Sequence, residues 1–160
     1  MTPAQTPSAE SQLAGFLAKF TPEIEASATA ILIKMRELLP GAVQLVYDNY
    51  NALAIGFGPS TRASEAVFSI AVFPRWVSLF FLQGVGLADP AGLLKGSGNQ
   101  VRHIVLKGVA DLSNPVILDL MARAMVDAKV PIDPTATGRL VIQSISAKQR
   151  PRRPGSSAKV

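Results

Sequence analysis

Residues 45–83 read LVYDNYNALAIGFGPSTRASEAVFSIAVFPRWVSLFFLQ. β-Branched and aromatic side chains dominate this run, and turn-forming residues interrupt it at the spacing hairpins require. The tetrapeptide DNYN at 48–51 separates a strand over 43–47 from one over 52–57. Gly58-Pro59-Ser60 opens a polar loop to Ser64, and Pro74-Arg75 joins 66–73 to 76–83. Four consecutive strands follow from that punctuation. Several are apolar on both faces, as central strands covered on at least part of each side are expected to be.

Upstream of the strands, Leu13, Phe16, Leu17 and Phe20 recur at i, i+3, i+4 and i+7 and mark a short amphipathic helix. Thr21-Pro22 is a hydroxyl cap followed by proline where no N–H is needed. The helix it starts carries an apolar stripe through Ile24, Ala28, Ile31, Leu32, Met35 and Leu39 and stops at Pro40-Gly41. Downstream, a Gly-rich linker over 84–100 holds one expected helical turn at 90–94 and leads into a fifth strand over 101–107. Asn114-Pro115 repeats the cap-then-proline signal and opens a final helix. A weakly alternating stretch over 139–145 reads as a sixth strand. The order of elements predicts an α+β domain: an antiparallel sheet of five or six strands packed against N-terminal and C-terminal helices. Residues 1–9 are expected to be flexible, 10–146 to form the domain, and 147–160 to be a disordered basic tail.

Composition limits the chemistry. The chain has 160 residues and no cysteine, which excludes disulfides, thiolate nucleophiles and Cys-based metal sites. His103 is the lone histidine, so no site can draw two imidazoles from one chain. Five of the 16 Lys/Arg lie beyond Ser146, whereas none of the 11 Asp/Glu does. The body up to that point is neutral, and the net charge of +5 sits on the tail. The N-terminus has neither a basic n-region nor an apolar h-region, so no secretory signal is expected. Pro74, Arg75 and Gln83 interrupt the one hydrophobic stretch long enough to resemble a membrane span. A cytoplasmic protein with no membrane contact is the default expectation.

LLPGAV closing the second helix, LVYDNY, ALAIGFGP, FPRWVSLFFLQG and KGSGNQVRHI occur in an order that resembles the YdhG-like family of bacterial domains of unknown function. The stretch SISAKQRPRR resembles the C-terminus of a subgroup. The resemblance implies a small α+β domain with helices on an antiparallel sheet. It also implies a frataxin-like iron-chaperone role for one branch. Such a role calls for a carboxylate cluster, whereas Glu23, Glu25 and Glu37 are spread along a helix.

Candidate sites lie at the rims of the strand block. The loop Lys95, Gly96, Ser97, Gly98, followed by Arg102 and His103, could converge N–H groups and two cations on an anion. It lacks GK[ST] and leads into a strand, and it equally reads as a flexible connector. His103 alternates with Val101 and Val105, and Arg102 with Ile104 and Leu106; the imidazole is either an acid, base or ligand, or a semi-core residue. Tyr47 and Asp48 sit at a strand end, where they could orient a ligand. Otherwise the Tyr ring packs on the helices and Asp48 caps its turn or pairs with an arginine. Arg75-Trp76 offers a stacking platform or seals a core edge.

No G-x-S-x-G elbow and no Ca or Mg loop motif is present, and no cofactor is implied. The expected function is a non-enzymatic binding or chaperone-like module for a small anionic ligand, held between the Tyr47 turn and the 95–103 loop. One alternative is an interaction protein that docks its basic tail, weakly and without sequence specificity, on nucleic acid or an acidic partner. The other is frataxin-like iron handling.

Overall fold

The computed structural model describes residues 7–154. Helix α1 (Ala9–Leu17) starts at Ser8, whose hydroxyl accepts from the Ser11 N–H. Ser8 and Ala9, within the 1–9 segment expected to be flexible, belong to this cap and helix, and residues 1–6 lie outside the described residues. Helix α2 (Pro22–Leu38) is capped by Thr21, and α3 (Pro115–Asp127) by Asn114. Each cap contributes about 1 kcal/mol by pairing an otherwise orphan N–H. The two cap-then-proline signals therefore mark true helix starts.

Six strands form one sheet in the order β5-β4-β3-β2-β1-β6. They are β1 (Val43–Asp48), β2 (Leu53–Gly58), β3 (Phe68–Val72), β4 (Val77–Phe81), β5 (Arg102–Leu106) and β6 (Arg139–Ile145). Strands β1 to β5 make an antiparallel meander. The fold is α+β, as its sequence predicts, with one correction: β6 pairs with β1 in parallel, so the sheet is mixed. A parallel partner needs a long crossover, which β2 to β5 and α3 supply. The turn expected at 90–94 is not a helix. The Asp89 carboxylate accepts from the Leu93 and Leu94 N–H groups and holds an irregular loop.

The strand residues in the core are Val46, Leu53, Ile55, Phe57, Phe68, Ile70, Val72, Val77, Leu79, Phe81, Ile104 and Leu106. By alternation these all share one face; Leu13, Phe16, Ile31, Met35, Leu120 and Met121 pack against it from the helices, and Phe20 from the α1–α2 connection. Two glycines set the position of β6. Gly41 and Gly138 have φ of +84° and +71°. A Cβ at Gly41 would overlap the Asp133 carbonyl, and one at Gly138 would press on the Ala42 carbonyl. The two backbone segments meet where side chains cannot fit, and β6 starts beside β1.

Direction matters more than order for function. In a meander, alternate turns fall at opposite ends of the sheet. The β1–β2 and β3–β4 turns share one end, with Asp48, Leu53, Val72, Val77 and Leu106 forming the last row before them. Because β6 runs parallel to β1, it delivers the chain beyond Ile145 to that same end.

Candidate functional site

The segment after β6 is a strap across the β1–β2 turn. The Ser146 N–H donates to the Asp48 carbonyl at 2.9 Å, and the Arg150 N–H donates to the Tyr50 carbonyl at 2.9 Å. The Gln149 amide donates to the Asp48 carbonyl at 3.0 Å. At the centre, Arg152 donates to Asp48 Oδ1 at 2.8 Å and to the Asn49 carbonyl at 2.6 Å. Its guanidinium lies 5.7 Å from the centre of the Phe20 ring. Arg153 Nε reaches the Lys19 carbonyl at 3.2 Å. The disordered tail expected over 147–160 is therefore corrected for residues 147–154. Residues 155–160 lie outside the described residues.

Asp48 is wholly buried and Arg152 is 5% exposed. Asp48 shares the helix-facing side of β1 with Val46, so its carboxylate enters the core and needs cations there. Arg152 takes one oxygen, and Lys19 takes the other at 2.9 Å. Burial pushes the Asp48 carboxyl up, but the bonds from Lys19 and Arg152 to its two oxygens outweigh it and hold the group below its ordinary value. Arg152 Nε is buried without a partner, so the guanidinium is held by its terminal nitrogens and by the ring of Phe20.

Anchoring Arg152 positions its neighbours. Arg150, Pro151, Arg153 and Pro154 face Asn51 and the β3–β4 turn residues Phe73, Pro74, Arg75 and Trp76 across a cleft of about 630 Å³. Trp76 stacks on Phe73 with ring centres 4.6 Å apart and planes at 18°, and the residue remains 41% exposed. Three arginines and no carboxylate line the cleft. Tyr50, half-exposed, lies beside it with the Arg150 guanidinium 5.8 Å from its ring centre.

The sequence-predicted residues divide into two groups. Tyr47 and Asp48 end β1 at the strap, whereas Lys95 to His103 flank β5. Three strands intervene, which is roughly 19 Å across the sheet at about 4.8 Å per strand. Arg102 also starts β5 at the end of the sheet opposite Asp48. No concavity joins the two groups.

The 95–103 loop closes on itself. Lys95 and His103 exchange backbone hydrogen bonds at 2.8 and 2.9 Å. The Arg102 guanidinium donates to the carbonyls of Gly98 and Val101 at 2.6 and 2.8 Å, so it is engaged by the loop that was expected to cradle an anion with it. Gly96, Ser97 and Gly98 are exposed, as is Lys95. The His103 ring stacks on Phe80 at 5.2 Å. Tyr47 lies with Leu45 on the sheet face away from the helices, opposite to Asp48.

Comparison of the chain with protein-family models, curated proteins and solved structures found no match. The site is read from its own chemistry. Arg75 and Trp76 were legible as a platform, and the tail arginines as a source of positive charge. Their meeting was not, because the contact depends on the direction of β6. One signal pointed to the strap: a carboxylate at a core-facing strand position calls for a cation, and Arg152 supplies it from 104 residues away.

Proposed function

We propose that this chain is a non-enzymatic, cytoplasmic binding module whose site is the cleft between the C-terminal strap and the β3–β4 turn, and whose ligand is an anion. The observation that carries the reading is the lining itself: Arg75, Arg150 and Arg153 surround the stacked Phe73–Trp76 pair without a carboxylate among them. Arginine suits phosphate and carboxylate groups through its planar fork of donors. The pre-set strap supports binding, since the arginines on either side of anchored Arg152 need little further ordering. Arg, Trp, Phe, Pro and Asn are recognition groups rather than nucleophiles or general bases, which supports a binding role over catalysis. No helix among the described residues is long and apolar enough to cross a membrane.

The YdhG-like resemblance belongs to the same proposal and rests on its motifs alone. Among the described residues no three His, Asp or Glu side chains come together as a metal set.

Trp76 is the sole tryptophan of the chain and reports directly on the cleft. Titration with inorganic pyrophosphate at low salt is expected to give a saturable change in its fluorescence, abolished in Arg75→Ala/Arg153→Ala. Absence of any saturable response in the native protein to pyrophosphate and to extended polyanions alike would overturn the reading.

A further inference from the structure

We infer that the ligand of this cleft is single-stranded nucleic acid, with a base stacked on Trp76 and successive phosphates on Arg75, Arg150 and Arg153. The inference rests on the anion-binding reading above and deepens it. Single strands are held without sequence preference by a positive groove that follows the backbone and by aromatic faces that accept any base. The tail by itself supplies only the first of these. Folding adds the second, because the strap is laid between two exposed aromatic side chains from different hairpins, Trp76 and Tyr50.

The details favour a nucleic-acid strand over a small metabolite. Phe73 occupies one face of the indole and stiffens it, while the exposed part of Trp76 is turned to the cleft. All three lining cations are arginines, which bind phosphate in a bidentate manner and also stack on bases. Arg75, Arg150 and Arg153 are each exposed, and exposed Lys148 extends the positive line along the strap. Charge distributed in this way suits a row of phosphates better than one compact anion, which would call for converging, buried donors. The B-form duplex keeps its bases stacked inside, so its phosphates could reach the arginines but no base could reach Trp76.

The test uses the full chain and a fluorescent 12-nucleotide oligothymidylate, with heparin as a polyanion lacking bases, poly-glutamate as an acidic polypeptide, thymidine monophosphate, and a duplex of equal length. The expected result is quenching of Trp76 by the oligonucleotide, with affinity falling with salt at a log–log slope of about −2 for three phosphate contacts. Trp76→Ala should weaken the oligonucleotide roughly five-fold or more, the scale of one base–aromatic stack, and leave heparin unaffected. The monophosphate should bind far more weakly than the strand. The substituted side chains are exposed, and circular dichroism checks that each variant folds.

Heparin binding equal to the oligonucleotide, with no effect of Trp76→Ala on either, would overturn the nucleic-acid inference and leave the anion reading standing. Preference for the duplex, or displacement of the oligonucleotide by poly-glutamate at equal charge, would likewise overturn it. Failure of pyrophosphate, heparin and oligonucleotide alike would remove both.

Discussion

The glycine loop before β5 and the strap after β6 are close relatives as sequence. Both are poor in apolar residues, rich in Gly or Pro, and charged with Lys and Arg. In the fold they diverge. Arg102 turns back onto two carbonyls of its own loop, a local and exposed arrangement that ties nothing distant together. Arg152 crosses to Asp48 and Asn49, is almost wholly buried, and fastens the end of the described chain to the first hairpin. The difference lies in the partner. An arginine facing its own loop organises that loop, whereas one facing a buried carboxylate organises the tertiary structure.

The largest expected effect separates the two arginines directly. Arg152→Ala leaves Asp48 short of a partner in the core, and Asp48→Ala strands Arg152. Breaking a buried pair in this way costs about 3–5 kcal/mol, measurable as a lower urea midpoint. The same pair governs acid sensitivity. The Asp48 carboxyl has a folded-state pKa below that of the unfolded chain. Its stabilisation is therefore complete above the unfolded value near pH 4 and is lost as pH falls through the folded one. Asp48→Asn should flatten that acid limb in denaturation curves taken between pH 2 and 6. An unchanged limb would assign the acid sensitivity to other carboxylates.

A smaller effect reaches the strap from upstream. Gly138→Ala forces a side chain into left-handed backbone against the Ala42 carbonyl and should cost about 1–3 kcal/mol, with loss of the pyrophosphate response as β6 shifts. The smallest effect belongs to the loop. Arg102→Ala removes two exposed hydrogen bonds and should lower stability by at most about 1 kcal/mol, leaving the Trp76 response to pyrophosphate intact. An equal penalty for Arg102→Ala and Arg152→Ala would erase the distinction between the regions.

The parts of this fold legible in the sequence are those encoded locally. Thr21-Pro22 and Asn114-Pro115 marked helix starts within a residue. Period-two alternation grouped Arg102 with Ile104 and Leu106, and His103 with Val101 and Val105, but the semi-core reading of the His103 face is corrected: Ile104 and Leu106 face the helices, whereas Val101 and Val105 are exposed. Strand direction is not local. The weak alternation over 139–145 shows that a strand is present but not which neighbour it takes or which way it runs. Placing that strand antiparallel leaves the tail free at the wrong end of the sheet. The parallel pairing with β1 brings Arg150, Arg152 and Arg153 to the turns. The tail is also poor in apolar residues and so reads as disordered, yet here a single buried ion pair and backbone bonds to a turn replace hydrophobic anchoring. The proposed Tyr47-to-His103 concavity failed for a related reason: a meander places consecutive turns at opposite ends, and three strands separate β1 from β5.

Amide hydrogen exchange of the native full-length chain tests the strap most directly. Slow exchange is expected at the Ser146 and Arg150 amides, which donate to Asp48 and Tyr50, together with fast exchange at the exposed amides of Gly96 and Gly98. Asp48→Ala should release Arg150 while leaving the amides of β3 protected. Exchange at Arg150 as fast as at Gly98 in the native protein would contradict a fastened strap, and with it the cleft that the strap builds.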